Sequence, residues 1–226
     1  MKYTALTEPL HDYICATFPA EDEFLRRLKE DAEKAGMPPI HIAPEQLAFL
    51  QTLLRGMNAR FVLEIGSLAG YSAIGMARAL SENGKVVCFE AEAKRADFIR
   101  RKAGEAGMPH KIEVHTGDAK QLLQEYRPNF EHDADVEHDA EFDFIFIDAD
   151  KAGYVRYLEL SLPLLRPGGM LCGDNTLAWG NIANEHSTDK TVQALRAFNH
   201  AVSTHPELSG CLLPIGEGMT LAVKKG

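Results

Sequence analysis

What this chain has little of narrows it first. Only four cysteines occur in 226 residues, at positions 15, 88, 172 and 211, and no two of them make a Cys-x-x-Cys pair. That spacing offers neither a zinc motif nor a disulfide framework. Cys88 and Cys172 sit inside apolar runs, where a thiol behaves as a small hydrophobe. No Lys/Arg-rich tract is present, and 33 acidic against 24 basic residues leave a net charge of −9. Nucleic-acid binding leans on clustered positive charge, so no nucleic-acid partner is expected. No stretch approaches the roughly 18 consecutive apolar residues of a membrane span. Residues 1–18 carry Glu8 and Asp12 where a signal peptide would be apolar. The expected setting is the cytoplasm, with no membrane partner. Internal repeats are missing too.

What is there has two textures. Residues 1–58 read as a helical N-terminal cap. Over 21–35, Phe24, Leu25 and Leu28 recur at helical spacing, and Gly36 ahead of Pro38-Pro39 is a stop signal. Pro44 suits the first turn of another helix, with Leu47, Phe49, Leu50, Leu53 and Leu54 as its apolar positions. Over 59–226, apolar runs at 61–65, 85–89, 112–115, 142–147 and 170–172 alternate with helical segments near 72–82, 92–106, 119–126 and 153–165, the last closed by Arg166-Pro167-Gly168-Gly169. This alternation predicts a parallel sheet with helices on both faces. A last helix near 189–205 precedes runs at 212–215 and 219–223. Between those runs Gly216-Glu217-Gly218 is a hairpin signal, so the sheet should end in antiparallel strands. The expected organisation is one α/β domain over 1–226.

The segment 127–141 stands apart, crowding His132, Asp133, Asp135, Glu137, His138 and Asp139 without periodicity. A metal site is one reading; a solvated loop of mixed charge is the favoured one. The segment leads into a strand and so lies at the amino edge of the sheet, whereas ligands in open α/β sheets bind at the carboxyl edge.

At the carboxyl edge the residues carry chemistry. The first strand contains Glu64 and runs into Gly66-Ser67-Leu68-Ala69-Gly70-Tyr71-Ser72. The second ends in Glu90, the third leads into Gly117-Asp118-Ala119, the fourth into Asp148-Ala149-Asp150-Lys151, and the fifth into Asp174-Asn175. One acid after a strand is usually a helix cap; four successive strands delivering acids to one edge point to a site. Leu68 and Tyr71 break the Gly-x-Gly-x-x-Gly fingerprint of a nicotinamide cofactor, which disfavours an oxidoreductase. The loop suits a ligand with an amino-acid head and a ribose but no pyrophosphate. Glu90 is placed for ribose hydroxyls, and Ser72 with the loop amides for a carboxylate. S-adenosylmethionine fits that description. Asp148, Asp174 and Asn175 are all oxygen ligands, which favours Mg²⁺, or Ca²⁺ or Mn²⁺, over Zn²⁺.

Taken in order, Glu64-Ile65-Gly66-x-x-x-Gly70-Tyr71-Ser72, Phe144-Ile145-Phe146-Ile147-Asp148-Ala149-Asp150-Lys151, Gly173-Asp174-Asn175-Thr176-Leu177 and Leu213-Pro214-Ile215-Gly216-Glu217-Gly218-Met219-Thr220 resemble the cation-dependent O-methyltransferases. That family includes caffeoyl-CoA O-methyltransferase and, more distantly, catechol O-methyltransferase. The resemblance runs from about residue 37 onward. It implies a Rossmann-like class I methyltransferase fold, with a seven-stranded, mostly parallel sheet, a reversed final strand, and a homodimer. Carried over by position, Ile42, Glu64, Gly66, Ser67, Ser72, Glu90, Ala119, Asp148 and Asp150 would surround the methyl donor. Asp148, Asp174 and Asn175 would bind the metal, and Lys151 would be the general base. The family commonly has Asp at Glu90, and its Thr-Leu-Trp becomes Thr176-Leu177-Ala178-Trp179, with the Trp displaced by one.

The implied reaction is in-line methyl transfer from sulfonium to a phenolic oxygen of a small molecule with vicinal hydroxyls. Lys151 could take the hydroxyl proton or serve as an ion-pair partner. Trp179 and Tyr154 could flank an aromatic acceptor or simply pack. A methyltransferase for a non-phenolic, nucleic-acid or protein acceptor is the rival reading, weakened by the acidic charge and the lack of an Asn/Asp-Pro-Pro-Tyr motif.

Overall fold

The computed structural model describes residues 4–127 and 141–226. Residues 128–140, which hold the candidate metal ligands His132 and His138, lie outside the described residues.

Three helices come first: α1 (Glu8–Thr17), α2 (Glu23–Lys34) and α3 (Pro44–Gly56). Asp22 caps α2 by accepting the Leu25 amide at 2.9 Å. The chain leaves α2 through Gly36 at φ +83°, a conformation that glycine adopts without steric cost. Pro44 opens α3 where an amide proton would go unused. Then β1 (Phe61–Ile65), α4 (Tyr71–Ala77), β2 (Lys85–Glu90), α5 (Ala93–Glu105), β3 (Ile112–Thr116), α6 (Ala119–Glu125), β4 (Phe142–Ile147), α7 (Tyr154–Ser161), β5 (Leu165–Gly173), α8 (Lys190–Thr204), β6 (Leu208–Leu213) and β7 (Met219–Lys224) follow.

Among the described residues the seven strands form one sheet in the order β3-β2-β1-β4-β5-β7-β6. The first five pair in parallel; β7 runs antiparallel to both β5 and β6. The central strands are largely apolar, with Glu64 in β1 and Asp143 in β4 as exceptions, because both faces are covered. On one face α2, α3, α4 and α5 close a cluster built on Leu25, Leu28, Leu47, Leu50, Leu54, Ile74 and Ile99. On the other, α7 and α8 close one built on Tyr154, Leu158, Leu195 and Phe198. The expected seven-stranded, mostly parallel sheet with a reversed final strand is therefore the observed fold.

Three boundaries differ from the sequence reading. Helix α4 stops at Ala77 rather than near 82. Strand β5 begins at Leu165, because Leu165 pairs with Phe142 and Met170 with Phe144, leaving Arg166-Pro167-Gly168-Gly169 bulged out of the ladder. Strand β6 begins at Leu208, four residues before the expected start. Its residues 209–212 are exposed, and Ser209-Gly210 interrupt the apolar run that would have marked the earlier start. No helix among the described residues is long and apolar enough to cross a membrane.

Candidate active site at the switch point of the sheet

From β1 the sheet continues one way to β2 and β3, and from β4 the other way to β5. Such a reversal opens a crevice at the carboxyl ends of the strands. Here it is a cleft of about 690 Å³. Four backbone bonds carry the ladder one residue past the strands: Gly66 N to Phe89 O at 2.9 Å, Gly117 N to Glu90 O at 3.0 Å, Asp148 N to Ile65 O at 2.9 Å and Asp174 N to Ile147 O at 3.0 Å. The residues that follow four strands are thereby fixed at one rim. Gly66 has φ +86°, and a Cβ there would lie 2.4 Å from the Asp148 carbonyl oxygen. The ends of β1 and β4 can approach only because position 66 has no side chain.

Most of the expected donor residues meet at this cleft: Ile42, Gly66, Ser67, Ser72, Glu90 and Ala119 line it, as do Asp148 and Asp150. Glu90 is buried at the end of β2. Its Oε2 accepts the amides of Ser67 at 3.3 Å and Leu68 at 2.9 Å, and its Oε1 that of Glu92 at 3.0 Å, so both oxygens are held in place. Asp150 accepts from the Tyr157 hydroxyl. Glu64 is fully buried and does not reach the cleft surface; it accepts from the Ser72 hydroxyl, and the Cys88 sulfur lies 3.7 Å away. Burial pushes the Glu64 carboxyl up to about 7, while the hydrogen bond from Ser72 opposes that rise. Asp118, one of the rim acids, caps α6 by accepting the amides of Lys120 and Gln121.

Asp148 and Asn175 also line the cleft, and Asp174 is buried behind them. Burial first, and then the Asp148 charge, hold the Asp174 carboxyl well above the usual carboxylate range. Gln46 Nε2 donates to Asp174 Oδ1 at 2.6 Å, and Asn175 is fixed in a left-handed conformation, φ +59°. Two crowded carboxylates beside an amide oxygen make a donor set that a hard divalent cation would relieve. Lys151 Nζ donates to Asp148 Oδ1 at 2.9 Å and to the Tyr154 hydroxyl at 2.7 Å.

Tyr154 is no acceptor platform. It is fully buried, packs edge-on against Phe198, and sets its hydroxyl 3.1 Å from the carbonyl oxygens of Ile147 and Asp174. Trp179, by contrast, stands 55% exposed and Ile40 66% exposed, and both line the cleft.

Two residues here escaped the sequence reading. His41 lines the cleft with its Nε2 buried and without a hydrogen-bond partner among the described residues. Burial, and then the charge of Lys29, lower its pKa to about 4, so it is neutral at ordinary pH. Gln46 holds Asp174 and also accepts the Ala43 amide at 2.9 Å through Oε1. The sequence signal that could have found Gln46 is its place three residues after Ala43, where a Gln can cap the preceding amide.

A family model described as O-methyltransferase matches residues 15–225. A catechol O-methyltransferase of Niastella koreensis is 36% identical over 224 residues, covering 96% of this chain and 97% of that protein. Caffeoyl-CoA O-methyltransferase 1 of Arabidopsis thaliana is 31% identical, covering 95% of this chain and 84% of its own. Among solved structures, the Bacillus cereus O-methyltransferase in complex with SAH superposes with a TM-score of 0.85 at 36% identity, covering 96% of this chain and 97% of that one. The chain belongs to the O-methyltransferase family, whose members take their methyl group from S-adenosylmethionine.

Proposed function

We propose that this enzyme methylates a phenolic hydroxyl that has a vicinal oxygen neighbour, using S-adenosylmethionine and a divalent cation held by Asp148, Asp174 and Asn175. The observation that carries the reading is Asp174: a buried carboxylate crowded by Asp148, whose hydrogen-bond donors among the described residues are neutral amides, the Gln46 side chain and the Asn175 backbone. A bound cation would supply Lewis-acid polarisation of the hydroxyl and a template for two adjacent oxygens. The chain's own groups do the rest. Glu90, with its oxygens already oriented, receives the donor's ribose hydroxyls. Gly66, Ser67 and Ser72 border the space for its amino-acid end. Lys151, on the rim beside Asp148, is positioned to carry off the hydroxyl proton. Trp179 and Ile40 offer apolar surface at the mouth for a flat acceptor. The transfer forms a C–O bond, breaks the donor's S–CH₃ bond and leaves a thioether.

The test is transfer of an isotopic methyl group to a panel of catechol-like and caffeoyl-type phenols with Mg²⁺. Asp174→Ala should abolish cation-dependent turnover while donor affinity, read by calorimetry, stays within about threefold, well under the tenfold that corresponds to 1.4 kcal/mol. Full activity of the unaltered enzyme in excess EDTA would sink the cation requirement.

A further inference from the structure

Outside the cleft, α1 and the first turn of α3 bring three metal-ligating side chains together. His11 and Cys15 stand four residues apart on α1, hence on one helix face, and that face meets Glu45. His11 Nε2 lies 3.1 Å from Glu45 Oε2, and Cys15 Sγ lies 3.6 Å from His11 Nε2 and 3.7 Å from Glu45 Oε2. We infer that His11, Cys15 and Glu45 form a second cation site, for Zn²⁺ or a similar transition metal, separate from the all-oxygen set at the cleft.

The triangle has the size such an ion needs. Tetrahedral zinc binds thiolate sulfur at about 2.3 Å and imidazole nitrogen or carboxylate oxygen at about 2.0–2.2 Å. Those bonds set S···N and S···O edges of about 3.6 Å and an N···O edge of about 3.4 Å. The observed edges agree within about 0.3 Å, so one ion fits with little movement of the chain. The surroundings are acidic as well. Asp12 lies 3.8 Å from the other ring nitrogen of His11, the side where metal-bound histidines meet a carboxylate. Glu45, Asp12 and Glu21 all bring negative charge to the neighbourhood of the Cys15 sulfur, which favours a cation there.

Sulfur and imidazole select borderline ions, just as the oxygen set at the cleft selects hard ones. Three protein ligands leave a fourth position for water. Helix α1 buries no residue of its own, so an ion would serve as its clamp onto α3. The clamp would end at Glu45, one residue before the Gln46 that holds Asp174.

Cobalt(II) is the probe, added to the whole protein in excess Mg²⁺ so that the oxygen set has its preferred ion. A single equivalent should give a sulfur-to-cobalt charge-transfer band and tetrahedral d–d absorption. Cys15→Ser should remove the charge-transfer band, and Cys211→Ser should keep it. His11→Gln, at a half-buried position of α1, should weaken Co²⁺ and Zn²⁺ binding at least tenfold. Zn²⁺ should slow amide exchange in residues 8–17 of the unaltered protein and not in His11→Gln. Absence of the band, its survival in Cys15→Ser, or its loss in Cys211→Ser each overturns the site.

Discussion

At the scale of the residue, the ion pair between Lys151 and Asp148 is the feature to probe first. A side chain that bridges Asp148, the proposed metal ligand, and the buried Tyr154 hydroxyl can serve structure, chemistry or both. Lys151→Met keeps the aliphatic stem and removes the base. It should lower kcat by about 10²–10⁴, the range for a positioned proton-transfer group, with little change in donor affinity. The defect should shrink with more acidic phenols, which ionise unaided. An unaltered kcat would leave Lys151 a structural partner only. Glu90 has two jobs to separate, because it also orders the amides of Ser67 and Leu68. Glu90→Ala should weaken donor binding by about 1.5–3 kcal/mol, the scale of hydrogen bonds to a charged group. Calorimetry that finds the dissociation constant unmoved would return Glu90 to a purely loop-holding role.

At the scale of the element, the turn joining β6 to β7 matters more than its position in the chain suggests. Thr176 N donates to Gly218 O and Leu177 N to Glu217 O, each at 2.9 Å, so the turn braces the loop that bears Asp174 and Asn175. A Cβ on Gly216, at φ +54°, would lie 2.4 Å from the Gln46 side chain. Gly216→Ala should therefore push Gln46 off Asp174. We expect a loss of about 1–3 kcal/mol in stability, typical of strained backbone, and a several-fold weaker cation affinity. Chemical denaturation and metal titration would expose the idea if both stay unchanged. This bracing also marks the limit of what the sequence discloses. The strands and the rim acids were legible because each is a local pattern, an apolar run followed by a carboxylate. Gln46 and His41 were not, since Gln46 meets its partner 128 residues away and His41 becomes special only through burial. The start of strand β6 was read four residues late, because Ser209 and Gly210 interrupt its apolar run.

At the scale of the whole molecule, the buried acids tie stability to pH and ligands. Glu64, pushed up to about 7 from its ordinary 4.5, binds a proton in the folded chain at pH values where the unfolded chain has lost it. Asp174 is shifted in the same direction. Their contribution is present at low pH and lost as pH rises through about 7. His41 acts oppositely, losing its contribution as pH falls from 6.5 towards 4. Between pH 8 and 6.5 the acids dominate, so the ligand-free protein should melt a few degrees higher at 6.5, at roughly 2–4 °C per kcal/mol. Saturating Mg²⁺ should flatten that slope, because it favours ionised Asp174; calorimetric scans with no slope in ligand-free buffer would contradict the assignment. One further consequence lies in the strand order. Strand β7 leaves the ribosome after every other strand of the sheet, yet it takes an interior place between β5 and β6. Until it arrives, the nascent chain has a bare β5 edge and a stranded β6, both open to pairing with a neighbouring polypeptide. Translation that stalls before Met219 therefore yields a sticky, unfinished sheet, and the rim that carries Asp174 stays unbraced until β7 arrives.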